Sequence, residues 1–259
     1  MVKQNVFGEL VHLRCGYQHD LRHVKFNDGK TAKWRTEHSV KRNADVYPTH
    51  GLGPVAVMTD INRGNRFMSL TSHASKSIGL HNYVADVGGK DHPNTKVKFK
   101  QGDVITTTID TANGETIIIT HDVNLPRPYS LGFRVQGANG LWEVDGNRIY
   151  VEGKSESHKW DEATPWLEKY DHPLWKKYGE YALDAGHGGM DFFVLNSFVE
   201  SAKANIAPPM DAYDAAAWSA VTPLSELSID NNGEPQDFPD FTRGLWLKRK
   251  PYNWMKETY

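Results

Sequence analysis

Apolar and polar residues alternate along several short stretches before residue 152, the period-two pattern of strands that bury one face. Val6 to Tyr17 predicts the first strand, with Val6, Leu10, Val11, Leu13 and Cys15 as apolar positions around the turn-forming Gly8. Phe67 to Ser72, Asp103 to Asp110, Thr116 to His121 and Ser130 to Gln136 read as four more. Asn113-Gly114 marks a hairpin, and Asp145-Gly146-Asn147 marks another between Leu141–Val144 and Arg148–Glu152. Pro54 to Asn62 predicts a short helix entered through Gly51-Leu52-Gly53, with proline early in it. Beyond about residue 160 the apolar spacing lengthens to three and four. Helices are predicted over Pro173 to Leu183, Met190 to Ala204 and Asp211 to Ile229, the last capped by Asp211.

Hairpin strands followed by helices predict an α+β fold, an open and mainly antiparallel sheet with helices on one face. Residues 1–234 would form the α+β domain. Residues 235–259, with three prolines and many aromatics, would be an extended arm packed on it. Residues 18 to 50 lack periodicity and read as a long loop, ordered by Trp34, Tyr47 and Pro48. No strand leads through G-x-G-x-x-G into a helix, and the spacing of Gly186-His-Gly-Gly-Met-Asp does not match, so the dinucleotide fingerprint is absent from this sequence.

Composition narrows the classes. Hydrophobic residues at 39% and charged residues at 24% are ordinary for a soluble globular chain. A formal net charge of −2 gives no whole-molecule field toward nucleic acid or an anionic membrane, and neither is expected as a partner. No run approaches the roughly 20 apolar residues of a membrane helix. The first residues show neither the apolar core nor the cleavage site of a signal peptide, which leaves periplasmic, secreted and cytoplasmic locations open. The single cysteine, Cys15, rules out an intramolecular disulfide framework and reads as a buried, inert thiol.

Chemistry concentrates in two clusters. In Tyr47-Pro48-Thr49-His50-Gly51-Leu52-Gly53-Pro54, proline stiffens the backbone ahead of His50, and the glycines would allow close approach to a ligand at a helix start. Tyr47 and His50 could face one cavity, and histidine suits proton transfer near neutral pH. A structural histidine bonded to backbone explains the same residues. In His121-Asp122-Val-Asn124-Leu-Pro126-Arg127-Pro128-Tyr129 two prolines fix a strand end that could aim Arg127 and Tyr129 into a site, although a lone tyrosine is more often packing. Trp34-Arg35, an aromatic face beside a fork of donors, suits a sugar ring as well as plain surface packing. His12, His19 and His23 with Asp20 look metal-like, but the segment does not read as a helix and no H-E-x-x-H occurs; no metal is expected. For His187 and Asp191 capping or sugar contact is favoured over a metal.

Taken together the chain resembles glycoside hydrolase family 109, the NAD-dependent α-N-acetylgalactosaminidases of the glucose-fructose oxidoreductase/inositol dehydrogenase-like superfamily. The resemblance is carried by V-F-G-E-L at 6–10, C-G-Y-Q-H-D-L-R at 15–22, W-R at 34–35, H-S-V-K-R-N at 38–43 and Y-P-T-H-G-L-G-P at 47–54. It continues with D-I-N-R-G at 60–64, H-D-V-N-L-P-R-P-Y-S at 121–130, G-H-G-G-M-D-F at 186–192, D-A-A-A-W-S at 214–219 and P-D-F-T-R-G at 239–244. These run in order along nearly the whole chain, and Y-P-T-H together with L-P-R-P-Y is specific.

The resemblance implies a mechanism without paired carboxylates. NAD⁺ takes a hydride from C3 of the sugar, the ketone acidifies the C2 proton, elimination expels the aglycone, water adds, and NADH restores C3. Carried over by position, Tyr17, Arg35, Tyr47, Pro48, Thr49, His50 and Tyr129 fall among the sugar-contacting residues. His50 would transfer a proton at a sugar hydroxyl, and Tyr129 would handle the C2 proton or orient the ring. Arg35 would orient the sugar, and Tyr47 would stand where sugar and nicotinamide meet, contacting the cofactor. Family members carry a Rossmann domain before V-F-G-E-L; by that resemblance this sequence would open inside the helix leading to the first strand. NAD is therefore expected to bind mainly outside these residues, and the isolated chain to be nearly silent in catalysis. A sugar oxidoreductase of the same superfamily, or a non-catalytic module that binds sugar or forms a homo-oligomer through its open sheet, are the alternatives.

Overall fold

The computed structural model describes residues 1–26, 33–253 and 256. Among them nine strands form one sheet: β1 (Leu10–Gln18), β2 (Phe67–Ala74), β3 (Val104–Thr111), β4 (Thr116–Asp122), β5 (Arg134–Gly137), β6 (Gly140–Glu143), β7 (Arg148–Val151), β8 (Asp161–Glu162) and β9 (Gln236–Asp237). Their order is β8-β7-β6-β5-β1-β4-β3-β2-β9. Every pairing is antiparallel except β1 with β4, which run parallel with Tyr17 opposite His121. The two expected hairpins form at β3–β4 and β6–β7, where Gly114, Gly146 and Asn147 take the positive φ those turns require.

The strands bury alternate residues. Leu13 and Cys15 on β1, Ile109 on β3, and Ile117 and Ile119 on β4 point to one face, where they meet Leu52 and Val55 of α3 (Thr49–Met58) and Val221 of α9 (Val221–Asp230). Arg14 on β1, His73 on β2 and Thr106 and Asp110 on β3 alternate with the buried positions and are exposed, so the sheet is covered on one side only. This is the α+β architecture expected from the pattern.

Several boundaries differ. The first strand starts at Leu10, because Val6 and Phe7 reach the core from a turn between Asn5 and Gly8, both at positive φ. The expected loop over 18–50 contains α1 (Arg22–Phe26) and α2 (Lys33–Lys41), and its residues 27–32 lie outside the described residues. Hydrophobic spacing could not reveal α2, whose inward positions are Thr36 and Ser39, both buried and hydrogen-bonded. A further helix, α4 (Gly79–Gly88), has no counterpart in the sequence reading. α3 begins at Thr49 and not at Pro54, so Pro54 stands inside it without the N–H that would meet the His50 carbonyl.

The later part holds α5 (Thr164–Lys169), α6 (Pro173–Ala182) and α7 (Met190–Ala204). The single helix expected over 211–229 is two, α8 (Ala212–Ser219) and α9, because Pro223 has no N–H for the Ser219 carbonyl. Asp211 caps α8 as expected, accepting from the amides of Tyr213 and Asp214. In the tail, β9 pairs with the edge of β2, and Phe238 packs on Phe67 with ring centroids 5.1 Å apart; residues 254, 255 and 257–259 lie outside the described residues.

Candidate functional site

The site forms at the carboxyl ends of the parallel pair β1–β4, where Tyr17 and His121 stand opposite each other. Tyr17 is its hub. Alternation places Tyr17 on the buried face with Leu13 and Cys15, yet near the strand end its ring reaches the cluster edge. Its ring centroid lies 4.7 Å from Tyr47, 5.1 Å from His50 and 6.4 Å from Tyr129. Tyr47 and His50 are themselves 4.5 Å apart. Tyr129, 56% exposed, is held beside β1 by paired backbone bonds between Gln18 and Ser130.

The N-terminus of α3 supplies the second wall. Pro48 is buried at the N-cap position and Thr49 opens the helix, which puts His50 in the first turn. The sequence led to the expectation that the glycines after it leave room for a ligand; they face other parts of the chain instead. A Cβ on Gly51 would lie 2.5 Å from the Gly16 nitrogen, and one on Gly53 would lie 3.2 Å from the Trp218 ring. Bare backbone here lets α3 settle on β1 and α8, and that close packing brings Tyr47 and His50 to Tyr17.

Arg35 enters from α2. Its guanidinium lies 4.1 Å from the Trp34 ring centre and 5.5 Å from that of Tyr47. Burial pushes the Tyr17 hydroxyl up, while Arg35 beside it works in the opposite direction. Burial is also the main reason His50 is held below the usual histidine range, with the charges of His187 and Arg35 adding to it. His187, 2.9 Å from Asp191 through Nδ1, therefore stands near the site as well.

Two groups weighed differently in the sequence also belong here. His19 precedes α1 while His23 lies within it. Instead of pairing with His23, His19 packs on Tyr129 at 5.1 Å and meets the Tyr17 hydroxyl at 3.3 Å. Among the described residues no group of three or more His, Cys, Asp or Glu is placed to hold a metal ion. His121 is buried beneath Tyr17, its ring 6.5 Å away and tilted 28°, and burial drives it down to about 3. Its phase with Ile117 and Ile119 on β4 was a readable sign that it points inward.

Lys25 and Asp45 carried no such sign. Lys25 donates to Asn124 Oδ1 at 2.6 Å and to Ser39 Oγ at 2.8 Å, and burial lowers it to about 7. Asp45 is buried and pushed up to about 7, against the pull of the Tyr47 N–H it accepts. Beside it, burial raises the Cys15 thiol, which stays protonated. The second cluster keeps Arg127 on Asp122 at 2.6 Å, so Arg127 is committed to an ion pair.

At neutral pH the cluster offers neutral imidazoles as proton acceptors, tyrosine hydroxyls, one guanidinium and aromatic faces. These suit a polyhydroxylated ring. A dinucleotide diphosphate finds no cradle among the described residues, because Gly186–Gly189 forms a turn between α6 and α7 with no strand leading into it.

The chain is 55% identical to an α-N-acetylgalactosaminidase of Tannerella forsythia over 97% of its own length and 58% of that protein. It is 54% identical to a glycosyl hydrolase family 109 protein of Stenotrophomonas maltophilia (strain K279a), over 97% of the chain and 59% of the relative. It thus spans somewhat more than half the length of these relatives. In fold it resembles levoglucosan dehydrogenase in complex with NADH and levoglucosan, with a TM-score of 0.63 at 15% identity over 92% of this chain and 61% of that one. An inositol dehydrogenase homolog of Azotobacter vinelandii complexed with NAD⁺ matches with a TM-score of 0.56 at 17% identity, over 92% and 60%. The family profile described as "Glycosyl hydrolase 109, C-terminal domain" matches residues 1–248, and the chain belongs to that family.

Proposed function

We propose that this chain is the sugar-binding portion of an α-N-acetylgalactosaminidase working by NAD-dependent oxidation, elimination, addition and reduction. One observation carries the reading: Tyr17, Arg35, Tyr47, His50 and Tyr129 converge on one end of the β1–β4 pair, and no carboxylate pair among the described residues is in ring contact with them. The relative in Tannerella forsythia, named for that activity, supports the substrate. NAD, when bound, supplies the hydride acceptor and later the donor. The residues described here do not fit its diphosphate, so their part is to hold the sugar and move protons.

In that part His50, neutral at pH 7, takes a proton from a ring hydroxyl. Tyr129, more exposed than Tyr17 and Tyr47, handles the C2 proton or orients the ring. Arg35 donates to sugar oxygens from its seat on Trp34. Tyr47 closes the inner side, toward the nicotinamide, with Tyr17 behind it. Pro48 and Thr49 fix the turn that presents Tyr47 and His50. The uncovered sheet face with Arg14, Thr106 and Asp110 is the surface we assign to a second copy of the chain, and a monomeric mass in solution would remove that assignment.

Titrating N-acetylgalactosamine into the chain, followed by NMR, tests the sugar site. Saturable shifts at Tyr17, Tyr47 and Tyr129 are expected; no shift at any of them overturns the reading. In a protein of the relatives' full length, a chromogenic α-N-acetylgalactosaminide should release its aglycone, whereas a sugar oxidoreductase would only oxidise free sugar.

A further inference from the structure

Below the sugar-facing rings lies a layer of buried polar groups that the proposed chemistry leaves unused. Asp45, in the segment between α2 and α3, is 1% exposed, and His121 on β4 is 2% exposed. The Asp45 Oδ1 accepts the backbone N–H of Tyr47 at 3.0 Å and stands 3.4 Å from the Nδ1 of His121. His121 lies directly across from Tyr17 in the parallel register, under its ring, and neither of its ring nitrogens has a hydrogen-bond partner. The Asp45 amide is itself anchored, donating to Ser225 Oγ at 3.1 Å, and the Ala44 carbonyl accepts from Gln101 Nε2 at 3.0 Å. A single carboxyl therefore sits between the backbone of Tyr47 and the ring beneath Tyr17.

We propose that Asp45 is a positioning residue of this site: it holds Tyr47 through the backbone N–H and lies 3.4 Å from the His121 ring beneath Tyr17, so that protonation of one buried carboxyl is felt by both tyrosines. The inference rests on the reading of those tyrosines as sugar-facing. A loop aspartate that only closes a turn two residues on would ordinarily sit in solvent. Burying a carboxyl is costly without a cation, and among the described residues no Lys or Arg forms an ion pair with Asp45. Asparagine would accept the same N–H without that cost. What aspartate adds is a charge that can change.

The ionisable groups around the pair come from four elements. Cys15 on β1 feels the Asp45 charge, His121 on β4 touches it, Lys25 on α1 acts on His121, and Arg35 on α2 with Asp103 acts on Lys25; α9 presents only neutral Ser225. Cys15 stays a thiol and His121 stays neutral down to about 3. Near neutrality this leaves Asp45 and Lys25, both at about 7, as the groups of that layer that change charge. Above that value the carboxylate is the stronger acceptor and draws in the Tyr47 N–H.

The test is a pH titration of the isotope-labelled chain between pH 5 and 9, following the Tyr47 amide and the ring signals of Tyr17 and Tyr47. All three should move with a common midpoint near 7 in the wild-type chain. The midpoint should persist in Lys25→Met and vanish in Asp45→Asn, which keeps the acceptor and the shape. A Tyr47 amide that stays flat across the range in the unaltered chain overturns the proposal, and so does a midpoint that survives in Asp45→Asn. Addition of N-acetylgalactosamine separates this from the site reading. Tyrosine signals that titrate with pH but ignore the sugar refute the sugar site and leave the hold of Asp45 intact.

Discussion

The rings of Tyr17 and Tyr47 lie 4.7 Å apart at a tilt of 57°, one on β1 and the other at the entrance to α3. Neither element places the other. The contact exists because Gly51 lets α3 descend onto Gly16 of β1, and because Asp45 fixes the Tyr47 amide from below. The proposed sugar site is thus a product of helix–sheet packing, and its sensitivity to mutation follows from that origin.

Removing the chemistry while sparing the packing should separate the roles. In a protein of the relatives' full length, His50→Ala should lower kcat by about 10²- to 10⁴-fold, the range of a positioned acid–base group. Tyr47→Phe keeps the ring contacts at 4.7 and 4.5 Å and loses only the hydroxyl, so KM should change little while kcat falls. Steady-state kinetics on an α-N-acetylgalactosaminide reads both, and full activity in either variant removes its assigned role.

Arg35→Ala should act on Tyr17 without touching it covalently. Burial raises the Tyr17 hydroxyl and Arg35 restrains it, so the variant's Tyr17 should ionise at higher pH than in the wild-type chain. Trp34 fluorescence should change in the same variant as the guanidinium leaves its ring at 4.1 Å. An ultraviolet titration with unchanged tyrosine ionisation would argue against the contact.

Much of this was legible in the residues, and the gaps have physical causes. The hairpins over 104–122 and 140–151 announced themselves through Asn113-Gly114 and Asp145-Gly146-Asn147, because those turns demand particular backbone angles. Tyr17, Tyr47, His50 and Tyr129 stood out by type and motif, and the structure brings them together. α2 was hidden because Thr36 and Ser39 face inward, where hydrophobic spacing is blind. Asp45 and Lys25 were hidden for the same reason: a buried charge inside an unpatterned segment looks like a solvated loop until its partners are seen. The glycines of Gly51-Leu52-Gly53 mark a close approach, but sequence does not say whether a bare backbone faces a ligand or another strand, and here Gly51 faces β1.

Gly51→Ala follows from that correction. The added methyl would meet backbone atoms of Gly16 at 2.5 and 2.8 Å, which cannot rotate away. The helix must shift, at a cost of about 1–3 kcal/mol for overpacking. Denaturant unfolding should show a lower midpoint with an unchanged slope. Sugar binding should weaken along with it, because His50 rides on the same helix. A variant as stable as the wild-type chain would mean that α3 is free to move.

Arg63→Ala should be more damaging, far from the site. Its guanidinium grips Asp214 through two bonds of 2.8 and 2.7 Å, with the side chains 11% and 3% exposed. Asp214 also closes the capping box of α8. Truncation strands a buried carboxylate, at a cost of about 3–5 kcal/mol. Asp214 would then rise from its depressed position, since the Arg63 bonds are among those that hold it down against burial. A thermal melt showing less than a few degrees of loss would contradict this.

His121 and Asp45 should pull the pH dependence of stability in opposite directions. His121 is ordinarily half-protonated at 6.5, but burial holds it neutral down to about 3 in the fold. The unfolded chain therefore binds a proton that the native state refuses, and the stability His121 contributes above 6.5 is lost as pH falls toward 3. Asp45 is raised from 3.8 to about 7, so the native state binds the extra proton. The stability it contributes is present below 3.8 and is lost as pH rises through 7. Between roughly pH 4 and 6.5 the two effects oppose each other. Phenylalanine can take the place of His121 beneath Tyr17 without titrating. In His121→Phe, Tm should accordingly decline more steeply, or rise less, from pH 4 to 6.5 than in the wild-type chain. Asp45→Asn should show the reverse, a Tm that climbs more steeply over the same interval. Melting curves at half-unit steps distinguish the cases, and identical profiles for all three proteins would show that neither buried group titrates in the fold as its surroundings require.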